Sequence, residues 1–262
     1  MAFAIVIPAR YQSSRFPGKP LAPLKGATGE KKSLVARCVE AARAVPGAAR
    51  VIVATDDDRI AAEAEAVGAE AAMTSESCRN GTERIAEAVA ALAIDVEIIV
   101  NVQGDAPLTP PWIVEELAAT LAEDDAFDVA TPVIRFDPEY LQRMRADAAA
   151  GKKGGTTAVF SPDGRALYFS KQIIPFSERG GDTPVFQHLG LYAYRLRALA
   201  AYMAAEPTPL EQAETLEQLR FLEIGCPIKV VEVDPRGLVQ WEVNHPEDVP
   251  MVERELARRG IP

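Results

Sequence analysis

Apolar positions in the first half of the chain fall into two alternating rhythms. Residues 3–7 are an unbroken apolar run stopped by Pro8, as in a strand buried on both faces. Residues 33–45 then place Leu34, Val35, Cys38, Val39 and Ala42 at helical spacing behind Ser33, a good N-cap. The alternation repeats. Residues 51–55 read as a second buried strand, and Asp56, Asp57 and Asp58 open a helix that runs to Val67 and closes at Gly68. A short strand over 70–73, a helix over 82–93 and a strong strand over 97–102 follow. Pro110 and Pro111 start a helix reaching Ala122. Strands alternating with helices predict a mostly parallel sheet covered on both faces, an α/β fold.

The second half changes rhythm. Residues 127–134 predict a strand, 137–149 a polar, alanine-rich helix or loop, and the glycine- and lysine-rich 151–155 the most flexible stretch. Residues 157–160 and 165–169 are β-rich runs joined by Ser161, Pro162, Asp163 and Gly164, a hairpin signal. A strand over 189–195, an amphipathic helix over 209–222, a strand over 228–233 and a charged helix over 246–259 complete the pattern. Neither an internal repeat nor a composition break marks a linker. One α/β domain over 1–262 is the economical reading: a core over about 1–130, a β-rich arm over about 131–195, and a return to the core over about 196–262.

Composition narrows the function classes. With 28 Lys and Arg against 38 Asp and Glu, the net charge of −10 repels phosphate backbones, so a protein that coats nucleic acid is not expected. A local basic pocket inside an acidic body remains allowed. No apolar stretch approaches the ~18–20 residues of a membrane span. The first residues lack the basic lead and the apolar length of a secretory signal. Cys38, Cys78 and Cys226 are scattered without metal spacing, which suits a reducing cytoplasm.

In an open α/β sheet, ligands bind at the carboxyl ends of the parallel strands. The loop after the first strand, residues 8–20, concentrates Arg10, Arg15 and Lys19 with Ser13, Ser14 and Gly18. Such a loop suits a polyphosphate, because cations offset its charge and small residues let backbone amides approach. It carries neither the Walker nor the dinucleotide glycine pattern. The bland alternative is a solvated basic surface loop. Past the third strong strand, Asp105 follows Gly104, where its carboxylate can meet a Mg²⁺ ion bridging substrate phosphates. A lone Asp there is more often a turn or helix cap. Its placement at the same sheet end as the cationic loop tips the balance.

These residues carry a family resemblance. Pro8-Ala9-Arg10-Tyr11-x-Ser13-Ser14-Arg15-x-Pro17-Gly18-Lys19-Pro20 resembles the opening motif of CMP-Kdo synthetases, the cytidylyltransferases that activate 3-deoxy-manno-octulosonic acid. The likeness continues through Val53-Ala54-Thr55-Asp56, Asn80-Gly81-Thr82-Glu83-Arg84, Val100-Asn101-Val102-Gln103-Gly104-Asp105 and Ala166-Leu167-Tyr168-Phe169-Ser170. It resumes over residues 188–195, 209–211 and 216–220 and ends near Pro246-Glu247-Asp248, so it spans nearly the whole chain. The resemblance implies a Rossmann-like nucleotidyltransferase fold with a β-rich arm for dimerisation and the acceptor. It implies a homodimer that uses CTP and a small acidic acceptor, with Mg²⁺ as cofactor. It also assigns roles. Ala9, Arg10, Ser14, Arg15 and Lys19 would hold the nucleotide phosphates, with Arg15, Lys19 and Asp105 as the catalytic set. Arg79, Gly81, Thr82 and Gln103 would recognise cytidine, and Asp105 would bind the metal. Lys171, His188, Tyr192, Glu217 and Gln218 match the acceptor pocket. Read alone, His188 is equally a structural hydrogen-bonding histidine, Tyr192 a core residue, and Glu217 and Gln218 a solvated helix face.

The chain departs from the family where the metal and acceptor sit. Ala106 stands where the family writes Glu, and Asn244 where it writes a second metal-binding Asp. Asn244 is thus a weak metal ligand, neutral where a charge is expected. Lys171 replaces Arg, a point charge for a fork donor, and Asn80 replaces Ser. Two carboxylates fewer would ease repulsion of a multiply charged acceptor. The alternative to Kdo is therefore a phosphonate such as phosphonoformate. A non-catalytic nucleotide-binding relative is a third reading, against which the intact Lys19 and Asp105 speak.

Overall fold

The N-terminal apolar run becomes strand β1 (Phe3–Ala9), and Pro8 does not end it. β6 (Ile98–Asn101) pairs with β1 only as far as Val6. Pro8 therefore lies where the strand has a ladder partner on one side, and its missing N–H is tolerated. The structure is a computed structural model, described over residues 2–13, 15–150, 155–177, 183–237 and 242–262. By compactness it divides into two units, residues 1–119 with 235–262, and residues 120–234.

In the first unit four parallel strands run in the order β5 (Glu70–Met73), β4 (Ala48–Thr55), β1, β6. The interiors of β1 and β6 are fully buried, which is why their sequence reads as continuous apolar runs. Helices α1 (Leu34–Arg43), α2 (Asp58–Ala66) and α3 (Gly81–Ala91) connect them. Each begins at a side-chain cap. Ser33 accepts from the Ala36 amide, Asp57 from Arg59, and Asn80 from Glu83. A small hairpin, β2 (Pro23–Lys25) with β3 (Lys31–Ser33), was hidden by its short, lysine-rich strands. Helix α4 (Pro111–Glu123) carries the chain out of this unit. The predicted terminal helix resolves into a short turn of 3-10 helix, Pro246–Asp248, and an α-helix, Val249–Arg258.

The second unit is built around β7 (Val129–Arg135), buried along most of its length. One edge of β7 pairs in parallel with β12 (Ile228–Glu232). The other edge pairs antiparallel, first with β11 (Tyr192–Arg195) and then with β10 (Phe186–His188). β8 (Thr157–Phe160) joins β10, and β9 (Ala166–Ser170) completes the predicted hairpin. Helix α5 (Pro138–Ala149) settles the helix-or-loop ambiguity as helix. Three expectations change. The predicted strand over 189–195 begins late, because Leu189 and Leu191 turn around Gly190, and β10 precedes it unforeseen. The strand is followed at once by α6 (Leu196–Ala204), a helix absent from the sequence-based expectations. The predicted helix over 209–222 is two helices, α7 (Pro209–Glu214) and α8 (Gln218–Glu223), parted where Thr215 takes a left-handed φ of 51°. Residues 151–154, in the stretch expected to be most flexible, lie outside the described residues. No helix among the described residues is long and apolar enough to cross a membrane.

Candidate active site

The loop that leaves β1 is shaped by backbone bonds before any ligand arrives. Gly18 adopts φ 70° and donates its N–H to the Tyr11 carbonyl at 3.0 Å, bringing these two residues of the loop together. The Tyr11 amide donates to Asp56 Oδ1 at 3.1 Å, and the Arg59 guanidinium lies 3.9 Å over the Tyr11 ring. Asp56 Oδ2 in turn accepts from buried Arg84 at 2.9 Å, and Arg84 also bonds Thr74. Asp56 and Arg84 thus pin the cationic loop to the ends of β4 and α3. Both stand in quoted motifs, yet neither was assigned a role. Partners 28 residues apart leave no local signal in sequence.

The loop, the start of α3 and the turn after β6 line one polar cavity. Its wall includes Ala9, Arg10, Arg15 and Lys19 from the loop, Arg79, Gly81 and Arg84 from α3 and its approach, and Gln103, Gly104 and Asp105. The positive end of α3 faces this space, with its last cap residue Asn80 on the wall. Arg79 is held by Glu83, which accepts from both its amide and its Nε at 2.8 Å. Thr82 is fully buried in the first turn of α3 and is not part of the wall. Ser14 lies outside the described residues. Cys78 also lines the cavity, but burial, then a hydrogen bond to Glu87, pushes its thiol up to about 12. A protonated thiol is no nucleophile at neutral pH.

Asp105 is aimed by glycine. A Cβ at Gly104 would sit 2.5 Å from the Pro8 carbonyl oxygen, so only glycine lets the β6 turn cross the end of β1. Lys19 Nζ meets Asp105 Oδ2 at 2.7 Å, with the carboxylate still a quarter exposed. The segment 242–245 closes against this pair. Val243 is buried and donates its N–H to the Asp105 carbonyl at 2.9 Å. Asn244 Oδ1 accepts from Arg15 at 3.0 Å, and its Nδ2 donates to Glu242 Oε2 at 3.3 Å. Glu242 is reached by solvent. Surrounding protein, and next the Asp105 charge, nonetheless push its carboxyl above the usual glutamate value. Glu242, two residues before Asn244, thus lies in the field of Asp105, Lys19 and Arg15.

The remaining candidates belong to the second unit. His188 Nε2 lies 2.8 Å from Thr131 Oγ1, its ring between Phe169 and Tyr192. Burial holds its pKa down to about 3, so the imidazole is neutral. The Tyr192 hydroxyl donates to Gln218 Oε1 at 3.1 Å, while Gln218 Nε2 is buried without a protein partner. Gln218 is thus a buried residue and not the solvated face expected of an amphipathic helix. Lys171 Nζ bonds the Thr215 hydroxyl, and the Glu217 carbonyl accepts from Tyr202 at 3.3 Å.

A family model described as cytidylyltransferase matches residues 4–231. The 3-deoxy-manno-octulosonate cytidylyltransferase of Maricaulis maris is 50% identical over 99% of both chains. The chain belongs to this cytidylyltransferase family, the CMP-Kdo synthetases. The Chlamydia pneumoniae member is 41% identical over 96% of this chain and 92% of its own. A solved structure of CMP:2-keto-3-deoxy-manno-octonic acid synthetase complexed with CTP superposes with TM-score 0.85 at 34% identity, covering 99% of this chain and 100% of that one. The family is one of enzymes, and its nucleotidyltransferase fold is the one described above. In this chain Asn244 joins Glu242 to Arg15 of the loop after β1.

Proposed function

We propose that the chain transfers CMP from CTP to a Kdo-type sugar acid and releases pyrophosphate. The observation that carries this reading is the cavity in which Arg10, Arg15 and Lys19 meet Asp105, in a chain half identical to a named cytidylyltransferase. Arg10, Arg15 and Lys19 neutralise the triphosphate, and Arg79 and Gly81 at the start of α3, with Gln103 from the turn after β6, take the cytosine. Thr82, buried, contributes to that turn through its backbone. An acceptor hydroxyl oxygen bonds to the α-phosphorus as the bond to the bridging oxygen breaks. Pyrophosphate leaves, and the hydroxyl proton passes to solvent. Positioning and charge neutralisation supply the rate, and no enzyme nucleophile is required.

Mg²⁺ fits the donors present. Asp105 already pairs with a cation, and its carboxylate is the hard oxygen donor that Mg²⁺ takes. Among the described residues no three His, Cys, Asp or Glu converge, so substrate phosphates would complete the shell, as is usual for Mg²⁺. Bound there, the ion would add charge stabilisation at the leaving pyrophosphate.

We assign acceptor recognition to Lys171, His188, Tyr192, Glu217 and Gln218. The unpartnered Gln218 amide is the donor best placed for a carboxylate or hydroxyl. Exposed Leu167 and Phe176 suit a homodimer contact. The argument for a phosphonate weakens once Glu242 is counted. Pyrophosphate release with CTP and Mg²⁺ is expected with Kdo and not with phosphonoformate. Turnover with phosphonoformate alone would reverse the assignment of the acceptor, and CTP binding without any turnover would reverse the assignment as an enzyme.

A further inference from the structure

Strand β5 ends at Met73, and residues 74–80 carry the chain outside the sheet to the start of α3. The end of this crossing forms part of the cavity wall, through Cys78, Arg79, Asn80 and Gly81. Its middle, residues 75–77, is exposed. Two glutamates of α3 hold the crossing in place. Glu83 and Glu87 stand four residues apart and so share one face of the helix. Glu83 takes the Arg79 amide and Nε, and its own amide is capped by Asn80 at 2.9 Å. One turn further on, Glu87 Oε1 accepts from the Ser75 amide at 2.8 Å and Oε2 from the Cys78 thiol at 3.0 Å. A single carboxylate thus ties both ends of the exposed turn to α3. Glu87 is half-buried and not part of the wall itself, which it touches through Cys78.

We infer that Glu87 is a positioning residue for the nucleobase: by tying Ser75 and Cys78 to α3, it sets where Arg79, Asn80 and Gly81 stand on the wall. The Arg79 side chain is 53% exposed, so its ion pair with Glu83 is too weak to fix the crossing alone. Glu87 adds two bonds whose acceptor is charged, one of them from the backbone, and such bonds are the strong ones. The phosphate end of the cavity is built differently. Arg10, Arg15 and Lys19 ride on the loop after β1, which Asp56 and Arg84 pin. Thr74, which Arg84 also bonds, is fastened to the Thr55 carbonyl by its amide at 2.8 Å and its hydroxyl at 3.0 Å, without help from Glu87. Loss of the Glu87 carboxylate therefore unsettles the base side of the cavity and spares the phosphate side.

The inference rests on the nucleotidyl-transfer reading, and the test separates the two. Binding of CTP and of pyrophosphate to the full chain is measured by calorimetry in one Mg²⁺ buffer, with no acceptor added. Glu87→Ala is expected to weaken CTP binding at least about tenfold, the scale of lost hydrogen bonds and a displaced contact, while pyrophosphate affinity is kept. Glu87→Gln retains an oxygen for the Ser75 amide, so it should show the same split at smaller size, and it carries the test if Glu87→Ala does not fold. Glu87→Gln also takes away the carboxylate that holds the thiol proton. Iodoacetamide should therefore alkylate Cys78 faster than in the unmodified chain, read by mass spectrometry of the Cys78 peptide. Unchanged CTP binding in these variants overturns the inference. So does an equal loss of CTP and pyrophosphate binding, which would make Glu87 a general support of the fold. An unchanged alkylation rate overturns it too, because the clamp on Cys78 would then not exist in solution. Absence of CTP binding in the unmodified chain would instead overturn the nucleotidyl-transfer reading beneath it.

Discussion

Lys19 and Asp105 meet at 2.7 Å although 86 positions separate them, and each has a charge to give to a phosphate or a metal. Both are partly exposed, so replacing either with Ala should leave the fold nearly as stable. Lys19→Ala and Asp105→Ala are expected to lower kcat by at least about 10²-fold, the scale of removing one preorganised charge at a developing anion. Steady-state pyrophosphate release together with a thermal melt checks this, and near-normal turnover in either variant would contradict the phosphate and metal assignments. Gly104→Ala tests the approach of β6 to β1, where the new methyl would meet the Pro8 oxygen at 2.5 Å. The turn must shift, so a raised KM for CTP with a retained fold is the expected result. At this scale the cationic loop and Asp105 are legible because residue types clustered at a strand end carry their chemistry with them. Asp56 and Arg84 are not, since each is held by a partner distant in sequence.

The elements of the first unit are legible because a parallel strand buried on both faces must be apolar throughout, and a helix that starts at a free end needs a cap. Ser33, Asp57 and Asn80 fill that need. The same logic misreads α7 and α8 as one helix. Their apolar pattern is continuous, and only the left-handed Thr215 breaks it. What keeps the two short helices together is the Glu211–Arg220 pair. Arg220 Nε donates to Oε2 at 2.7 Å, its NH2 group donates to Oε1 at 2.5 Å, and its guanidinium lies 3.9 Å over the Tyr202 ring. Arg220 is 1% exposed. Glu211→Gln leaves that buried charge without its counterion and should cost about 3–5 kcal/mol, read as a lower urea midpoint. A change under about 1 kcal/mol would mean that the pair is effectively solvated.

Across the whole molecule, protonation is written into stability through His188. Its pKa falls from 6.5 to about 3 in the fold because burial disfavours the imidazolium. Above the unfolded value the ring is neutral in both states and contributes no slope. As pH falls below about 6.5, the unfolded chain binds a proton that the folded chain refuses, so stability drops by up to ~1.4 kcal/mol per unit until the folded pKa is reached. His188→Gln removes that slope. Between pH 6.5 and 5 the wild type should therefore lose about 2 kcal/mol more than the variant in urea titrations. Parallel losses in the two proteins would mean that His188 titrates normally.

The net charge of −10 and the alternation of buried strands with capped helices followed from sequence alone, as did the cluster of Arg10, Arg15 and Lys19. These are properties of composition and of near neighbours, and burial on two faces or a helical stripe imprints them directly on the residue order. Only the tertiary structure decided that Gln218 is buried beside Tyr192, that Asn244 is tied to Arg15, and that Glu242 stands in the field of Asp105. Sequence shows an asparagine at 244 and a glutamate at 242, but not that their side chains are hydrogen-bonded to one another. That depends on which way a two-residue step points once Val243 is buried against the Asp105 backbone, and only packing sets that direction.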